Sequence, residues 1–458
     1  MKLAVVGAGW AGLAAAVRAT QAGHAVTLFE AAGMPGGRAR SDDEGDDATD
    51  NGQHVLLGGY AHTLALMRDV GVDVDHALLR APLRLTYPDG AGFALSPVGP
   101  RLLAAGAALV GARGFGLADK LSAVAMSLAW RLRGFRCAPS LTVDQLLRRV
   151  ATARVHRRLI EPLCVAALNT PSAEASAEVF LAVMRDSLFG AREASDLLLP
   201  QRPLAQLLPL PALRWLSARG AQVHLRTRVT ALAREGARWR VMSAEGLAPQ
   251  VPDPEPGPGP GPAHDRGQAP AEPDPVGTAF DRVILATPAK EAARLTADCA
   301  PDWSAMAGAL AHEPIVTITL TAPRRAWPAP MLALHGDATH APAQFAFKLG
   351  RQPADGDRVT LVVSAAGRWL ERGIDVVTAA AVAQYRHDFA IGDGEAVTVA
   401  SVRTDKRATF RCTAGVVRPR MDILPGLLAA ADYVAGPYPA TLEAAVRAGE
   451  AAAMAMAI

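Results

Sequence analysis

The residues with the most chemical content stand at the start of the chain. Lys2 to Val6 is a short apolar run, Gly7-Ala8-Gly9-Trp10-Ala11-Gly12 follows it directly, an Ala/Leu-rich segment runs to Ala22, and Glu30 closes a second apolar run. Glycines at that spacing suit a nucleotide pyrophosphate: Gly7 lets the chain turn sharply, Gly9 lets backbone approach phosphate oxygens, and Gly12 lets a helix pack closely on a strand. A helix starting at Trp10-Ala11-Gly12 offers its unpaired N–H groups and the positive end of its dipole to the phosphates. Glu30 is placed to accept hydrogen bonds from a ribose diol. This chemistry needs strand, tight turn, helix and strand in that order, and the apolar pattern supplies it. A secretory leader would also be apolar with one early lysine. Here glycines interrupt the run and Arg18 ends it, so the segment is expected to be part of the fold.

A second group follows at Gly36-Gly37-Arg38, where adjacent glycines expose backbone N–H groups and Arg38 supplies a fork suited to a diphosphate or a flavin edge. Following an acidic residue, this run resembles the second phosphate-contacting signature of the FAD-dependent amine oxidase and phytoene desaturase superfamily. The resemblance implies FAD as cofactor. It also implies that Asp50-Asn51-Gly52-Gln53-His54 passes beside the flavin ring, which makes Gln53 and His54 contact candidates, although a glycine-rich turn with a core histidine reads the same way. By the same resemblance, Val229 meets the adenine through backbone groups, Asp432 binds a ribityl hydroxyl, and a final helix beginning near Thr441-Leu442 points its N-terminus at the flavin pyrimidine oxygen. Ala431 departs from the pattern, standing where glycine is usual, and sets a methyl against the ribityl chain.

A narrower resemblance rests on Glu161 to Pro171, on Asp50 to His54 and on His312-Glu313-Pro314-Ile315-Val316-Thr317. Together these look like the squalene-associated FAD-dependent enzymes, the hydroxysqualene dehydroxylase family of hopanoid biosynthesis. That implies reductive removal of an allylic hydroxyl from a long isoprenoid, with Asp50, His54 and Glu161 as acid candidates, each of which also reads as a structural polar group. It further implies association with squalene-synthase-like enzymes. A flavin-dependent isoprenoid desaturase and a non-catalytic flavin-binding partner of an isoprenoid synthase remain as alternatives. An amine oxidase fits less well, since aromatics are only 5% of residues and no aromatic cage is evident.

To hold these groups together, 458 residues suffice for two or three domains. The expected fold class is α/β: a Rossmann-type FAD-binding domain, discontinuous over 1–80, 200–300 and 400–458, with an inserted α+β substrate domain from 81–199 and 301–399. A hairpin is expected around Pro88-Asp89-Gly90, a buried parallel strand over Phe280 to Pro288, and a largely antiparallel sheet from Ile315, Gln344 and Val359 onward. Residues 249–277 hold ten prolines and five glycines and read as a disordered insertion.

Composition narrows the rest. A net charge of +3 from 47 basic and 44 acidic residues gives no reason to expect nucleic-acid binding. Mean hydropathy is high at +0.15, yet no window holds eighteen consecutive apolar residues. Four scattered cysteines suggest a reduced, cytoplasmic protein without a metal, each thiol a small buried residue. Arg101 to Arg136 is Ala/Leu-rich, with six basic residues against Asp119 alone. It reads either as a core helix pair or as a surface lying peripherally on the inner face of an anionic membrane.

Overall fold

The computed structural model describes residues 1–45, 48–94, 108, 110–243, 278–337, 339–348 and 356–456. At its centre the strand Lys2–Val6 lies between Ala25–Phe29 and Arg282–Leu285, parallel to both. Gln222–His224 extends this sheet on one side, and Leu427–Ala429 followed by Asp422–Leu424 on the other. Only Asp422–Leu424 runs antiparallel within it. The Val-rich central strands are covered on both faces, which is why their sequence shows no alternation. Four separated stretches of chain thus build one α/β sheet.

The helix Trp10–Gln21 covers this sheet and packs against the final helix, Leu442–Met456. Their contact is backbone-close: a methyl at Gly449 would lie 2.1 Å from the Ala11 carbonyl oxygen. Small residues on both helices allow that approach, and it brings the first and last helices to the same cleft.

Phe280 to Pro288 is two strands rather than one. Thr278–Phe280 pairs antiparallel with Arg238–Ser243, in a three-stranded sheet completed by Val229–Glu235, whereas Arg282–Leu285 enters the parallel sheet. Asp281 holds the corner, accepting from the Lys2 amide at 2.8 Å and from Arg238 Nε at 2.9 Å. The Pro/Gly-rich stretch 249–277 lies outside the described residues, but the strands flanking it are hydrogen-bonded to each other.

A second sheet is wholly antiparallel, in the order Met331–Ala333, Phe345–Phe347, Asp357–Val363, His312–Ala322, Thr398–Phe410. The helix Ile374–Asp388 covers one face through Val377, Ala381 and Tyr385. The other face joins the expected hairpin, Arg84–Thr86 with Gly92–Ala94, in an apolar cluster around Leu85, Leu199, Phe345 and Phe347. The expected domain boundary at 400 is corrected by this pairing, since Thr398–Phe410 matches His312–Ala322 almost end to end and belongs to the second sheet. Within the basic stretch 101–136, residues 101–107 and 109 lie outside the described residues, and Leu117–Leu132 is a helix. All four cysteines are free. Cys164 and Cys412 are buried as expected, but Cys137 and Cys299 are only partly so.

Candidate active site

A cleft of about 1020 Å³ runs between the two sheets. One lobe is built from the glycine-rich segments. Gly7 turns at φ +106°, and a methyl at Gly12 would lie 1.8 Å from the Gly7 carbonyl oxygen, so strand and helix meet as closely as backbone allows. Glu30 is held at the end of its strand, one carboxylate oxygen accepting the Ala8 amide at 2.7 Å and the other the Ala32 amide at 2.8 Å. The Gly36 amide donates to the Ala8 carbonyl at 2.8 Å, which lays Gly36-Gly37 beside Gly9. Trp10 lines this lobe at the start of the helix, and its ring is buried in the core with the indole N–H donating to the Ala39 carbonyl at 2.9 Å, pinning the second glycine segment to the first.

Arg38 reaches across the lobe to the other end of the chain. Its guanidinium sits 2.6 Å from Asp432 and donates to the Ala408 carbonyl, also at 2.6 Å. Burial alone would lower the Arg38 pKa, but the adjacent Asp432 carboxylate more than offsets it and the pKa lies above its ordinary value. Thr441 caps the final helix, its hydroxyl accepting the Ala444 amide at 3.1 Å, so Thr441 and Leu442 present a helix N-terminus to the cleft. Val229 lines the same lobe, its carbonyl accepting from Arg294 at 3.1 Å.

These residues fit a dinucleotide cofactor. The cradle has no side chains at Gly7, Gly9, Gly36 and Gly37. Thr287, buried and lining the cleft, has a hydroxyl without a partner among the described residues, available to a bound group.

The other lobe is apolar, lined by Leu85, Leu163, Met184, Leu197, Phe345 and Phe347. Where the lobes meet, Gln53, His54, Asn169, Thr317, Ser364 and Thr409 supply the polar groups. Gln53 donates to the His54 carbonyl at 3.2 Å. His54 Nδ1 lies 3.2 Å from the Gly52 carbonyl, which can only accept, so Nδ1 carries the proton and Nε2 keeps the lone pair in the neutral ring. Burial pushes His54 below the usual imidazole range, against the pull of the Gly52 carbonyl and Asp50.

The other two acid candidates are not there. Asp50 does not line the cleft: one carboxylate oxygen accepts from the Ser41 hydroxyl at 2.6 Å and the Leu204 amide at 2.9 Å, tying two loops together. Burial raises its pKa, but at a structural bracket. Glu161 also lies outside, accepting the Ser172 amide at 3.2 Å. It belongs to a polar group with Asp144 and His156 whose ligand-type atoms lie within 4.8 Å of one another, a metal-compatible geometry that linear spacing did not reveal. His156 Nε2 already pairs with Asp144 at 2.7 Å and with the Ser172 hydroxyl at 3.2 Å.

Asn169, within the Glu161 to Pro171 run, also lines the cleft. It ends the helix Glu161–Leu168 in the left-handed region, φ +47°, a conformation asparagine tolerates better than most residues. Its amide donates to the Glu313 carbonyl at 3.2 Å and the Thr409 hydroxyl at 2.9 Å, and its oxygen accepts the Ala365 amide at 2.6 Å. Next to it, the Thr170 hydroxyl donates to the Leu168 carbonyl at 3.0 Å and accepts the Cys412 amide at 3.1 Å. The Asn-Thr-Pro run is therefore a clamp between the helical region and the second sheet, and an asparagine at a helix stop was its one sequence signal.

The profile of the flavin containing amine oxidoreductase family matches residues 10–457. A hydroxysqualene dehydroxylase of Zymomonas mobilis is 30% identical over 232 residues, 49% of this chain and 53% of that protein. A probable zeta-carotene desaturase of Synechococcus elongatus is 31% identical over 251 residues, 50% of each chain. The chain thus spans about half the length of the curated relatives it matches. An oxidoreductase structure from Methanosarcina mazei superposes with a TM-score of 0.70 at 16% identity, covering 98% of this chain and 99% of that one, and shares the fold. With the two-sheet architecture and the dinucleotide cradle, the near full-length family match places the chain: it belongs to the flavin-containing amine oxidoreductases, as an FAD-dependent oxidoreductase.

Proposed function

We propose that the protein converts hydroxysqualene to squalene by reductive dehydroxylation. The observation that carries this reading is the single cleft, in which a dinucleotide cradle opens directly into a lobe lined by leucine, methionine and phenylalanine. Relatives named hydroxysqualene dehydroxylase agree with it. When bound and reduced, FAD supplies a hydride. The chain's own residues have three tasks. The apolar lobe takes up the isoprenoid and keeps water from the electron-poor carbon left as the C–O bond breaks. Thr317, Ser364 and Thr409 hold the departing hydroxyl at the junction of the lobes. Protonated His54 passes a proton from Nε2 to that oxygen, which leaves as water. Gly7, Gly9, Trp10, Ala11, Glu30, Gly36, Gly37, Arg38, Val229, Asp432, Thr441 and Leu442 line the cleft and would hold FAD, while Gly12 seats the helix against the strand behind them.

Incubating the anaerobically reduced protein with hydroxysqualene should yield squalene and oxidised flavin; absence of squalene overturns the proposal. The similarity to a zeta-carotene desaturase favours one alternative, oxidative removal of hydride from a polyene. Under that reading the oxidised protein, not the reduced one, consumes substrate. A cytoplasmic location and association with a squalene-synthase-like enzyme belong to the first reading, and co-purification of the two proteins tests the association.

A further inference from the structure

We infer that the outer face of the helix Leu117–Leu132 docks the protein on an anionic lipid surface. Leu117, Leu121, Val124, Leu128 and Leu132 are each between 51% and 79% exposed. They recur at steps of four, three, four and four, so they fall within about 80° of arc, a continuous stripe along the helix. The opposite face, Ala123, Met126 and Trp130, is already buried in the core. A helix apolar on both faces is not what water alone favours. Fifteen large apolar residues are exposed among the described residues, and five of them stand on this one helix.

The rim is basic. Lys120 and Arg131 border the stripe, Arg133 and Arg136 follow its end, and all three arginines are exposed. The helix's only acid, Asp119, is buried and bonded to the Thr152 hydroxyl at 2.6 Å and the Gly116 amide at 2.9 Å. Leucines in the acyl boundary with arginines reaching lipid phosphates is the arrangement of an interfacial helix. A folded protein partner fits less well, because one helix ridge presents five apolar side chains where a standard interface uses roughly 20–30 residues a side.

Behind the stripe, Trp130 packs edge-on against Phe180 of the helix Ala177–Leu188, with ring centroids 6.0 Å apart. Val183, Met184 and Leu188 of that helix line the apolar lobe. The docked face is therefore one helix away from the lobe, a short path for an isoprenoid dissolved in the bilayer. That last point rests on the proposed substrate; the docking does not.

The test is co-sedimentation of the full-length, FAD-loaded protein with phosphatidylglycerol/phosphatidylcholine vesicles and with phosphatidylcholine vesicles alone. Binding is expected on the anionic vesicles and should weaken as salt is raised. The Leu121→Ser/Leu128→Ser variant should bind at least about tenfold more weakly, and Arg131→Gln/Arg133→Gln/Arg136→Gln on the order of a hundredfold more weakly on the anionic vesicles. Unchanged flavin absorbance and melting temperature show that both variants are folded. Wild-type protein remaining in the supernatant with both vesicles overturns the inference. So does a serine variant that dissolves a dimer in size-exclusion chromatography while binding vesicles normally, which assigns the stripe to a second copy. Vesicle binding without squalene formation leaves the docking standing and removes the substrate reading instead.

Discussion

Arg38 and Asp432, from near opposite ends of the chain, meet at 2.6 Å across the cofactor lobe. The pair closes a ring of segments that local sequence cannot bring together. Asp432 is buried, while Arg38 faces the cleft and remains more than a third exposed. Arg38→Gln should therefore cost about 1–2 kcal/mol in stability, below the value for a fully buried pair because solvent screens the guanidinium. The larger effect should be on cofactor retention. The flavin-to-protein ratio after gel filtration is expected to fall severalfold, and a ratio equal to wild type would count against the assignment of this lobe.

Gly9 and Gly12 separate space kept for a ligand from space filled by protein. A methyl at Gly12 meets the Gly7 carbonyl oxygen at 1.8 Å, whereas one at Gly9 finds nothing nearer than the Gly37 Cα at 3.9 Å. Gly12→Ala is expected to yield misfolded protein. Gly9→Ala should fold with a near wild-type melting temperature but bind FAD at least tenfold more weakly, which a flavin titration of the apoprotein measures.

Asn169→Ala removes three hydrogen bonds and puts alanine in the left-handed region. At about 1 kcal/mol for each bond and about 1 kcal/mol for the backbone, the cost is roughly 3–4 kcal/mol. Asn169→Gly loses the bonds but keeps the conformation, so its denaturant midpoint should fall between alanine and wild type. Equal midpoints for the two variants would show that the backbone strain does not matter.

His54 makes the proposed dehydroxylation acid-favoured. Burial holds its pKa below the ordinary imidazole value of about 6.5, so at neutral pH little of it carries the extra proton. Single-turnover rates should rise as pH falls from about 7 and level off only below about 6.5. His54→Gln should abolish that limb and slow the reaction by about 10²–10⁴ while flavin binding persists. A pH profile unaltered by the substitution removes His54 from the mechanism.

The same depression links His54, and also His312, to acid stability. Burial and the charge of Arg38 lower His312 as well. The unfolded histidines take up protons near pH 6.5 while the folded ones resist, so stability is full above that value and is lost as pH falls through the folded pKa values. Asp50 and Glu313, whose carboxyls burial raises, act in the opposite sense at lower pH. The double variant His54→Gln/His312→Gln should therefore lose less melting temperature than wild type between about pH 7 and about pH 5.5; equal losses would show that neither ring contributes.

By itself the sequence determined the cofactor half of this protein. Gly7 to Gly12 lie within one continuous strand-turn-helix-strand unit and Glu30 and Gly36 to Arg38 follow directly on its last strand, so backbone geometry converts spacing into position, and the Val-rich strands declare their burial through composition. The apolar half and its chemistry were decided only in three dimensions. Asp50, His54 and Glu161 were equivalent as acids on paper, and what separated them was contact with distant chain: Leu204 engages Asp50, Ser172 engages Glu161, and the Gly52 carbonyl leaves His54 Nε2 unprotonated at the cleft. Thr398–Phe410 likewise left its expected domain because His312–Ala322 offered it a hydrogen-bonding edge, and Asn169 became a clamp because three remote segments converge on one amide. Side-chain direction and strand partnership depend on what packs against them, and that information is spread over the whole chain rather than held in any one motif.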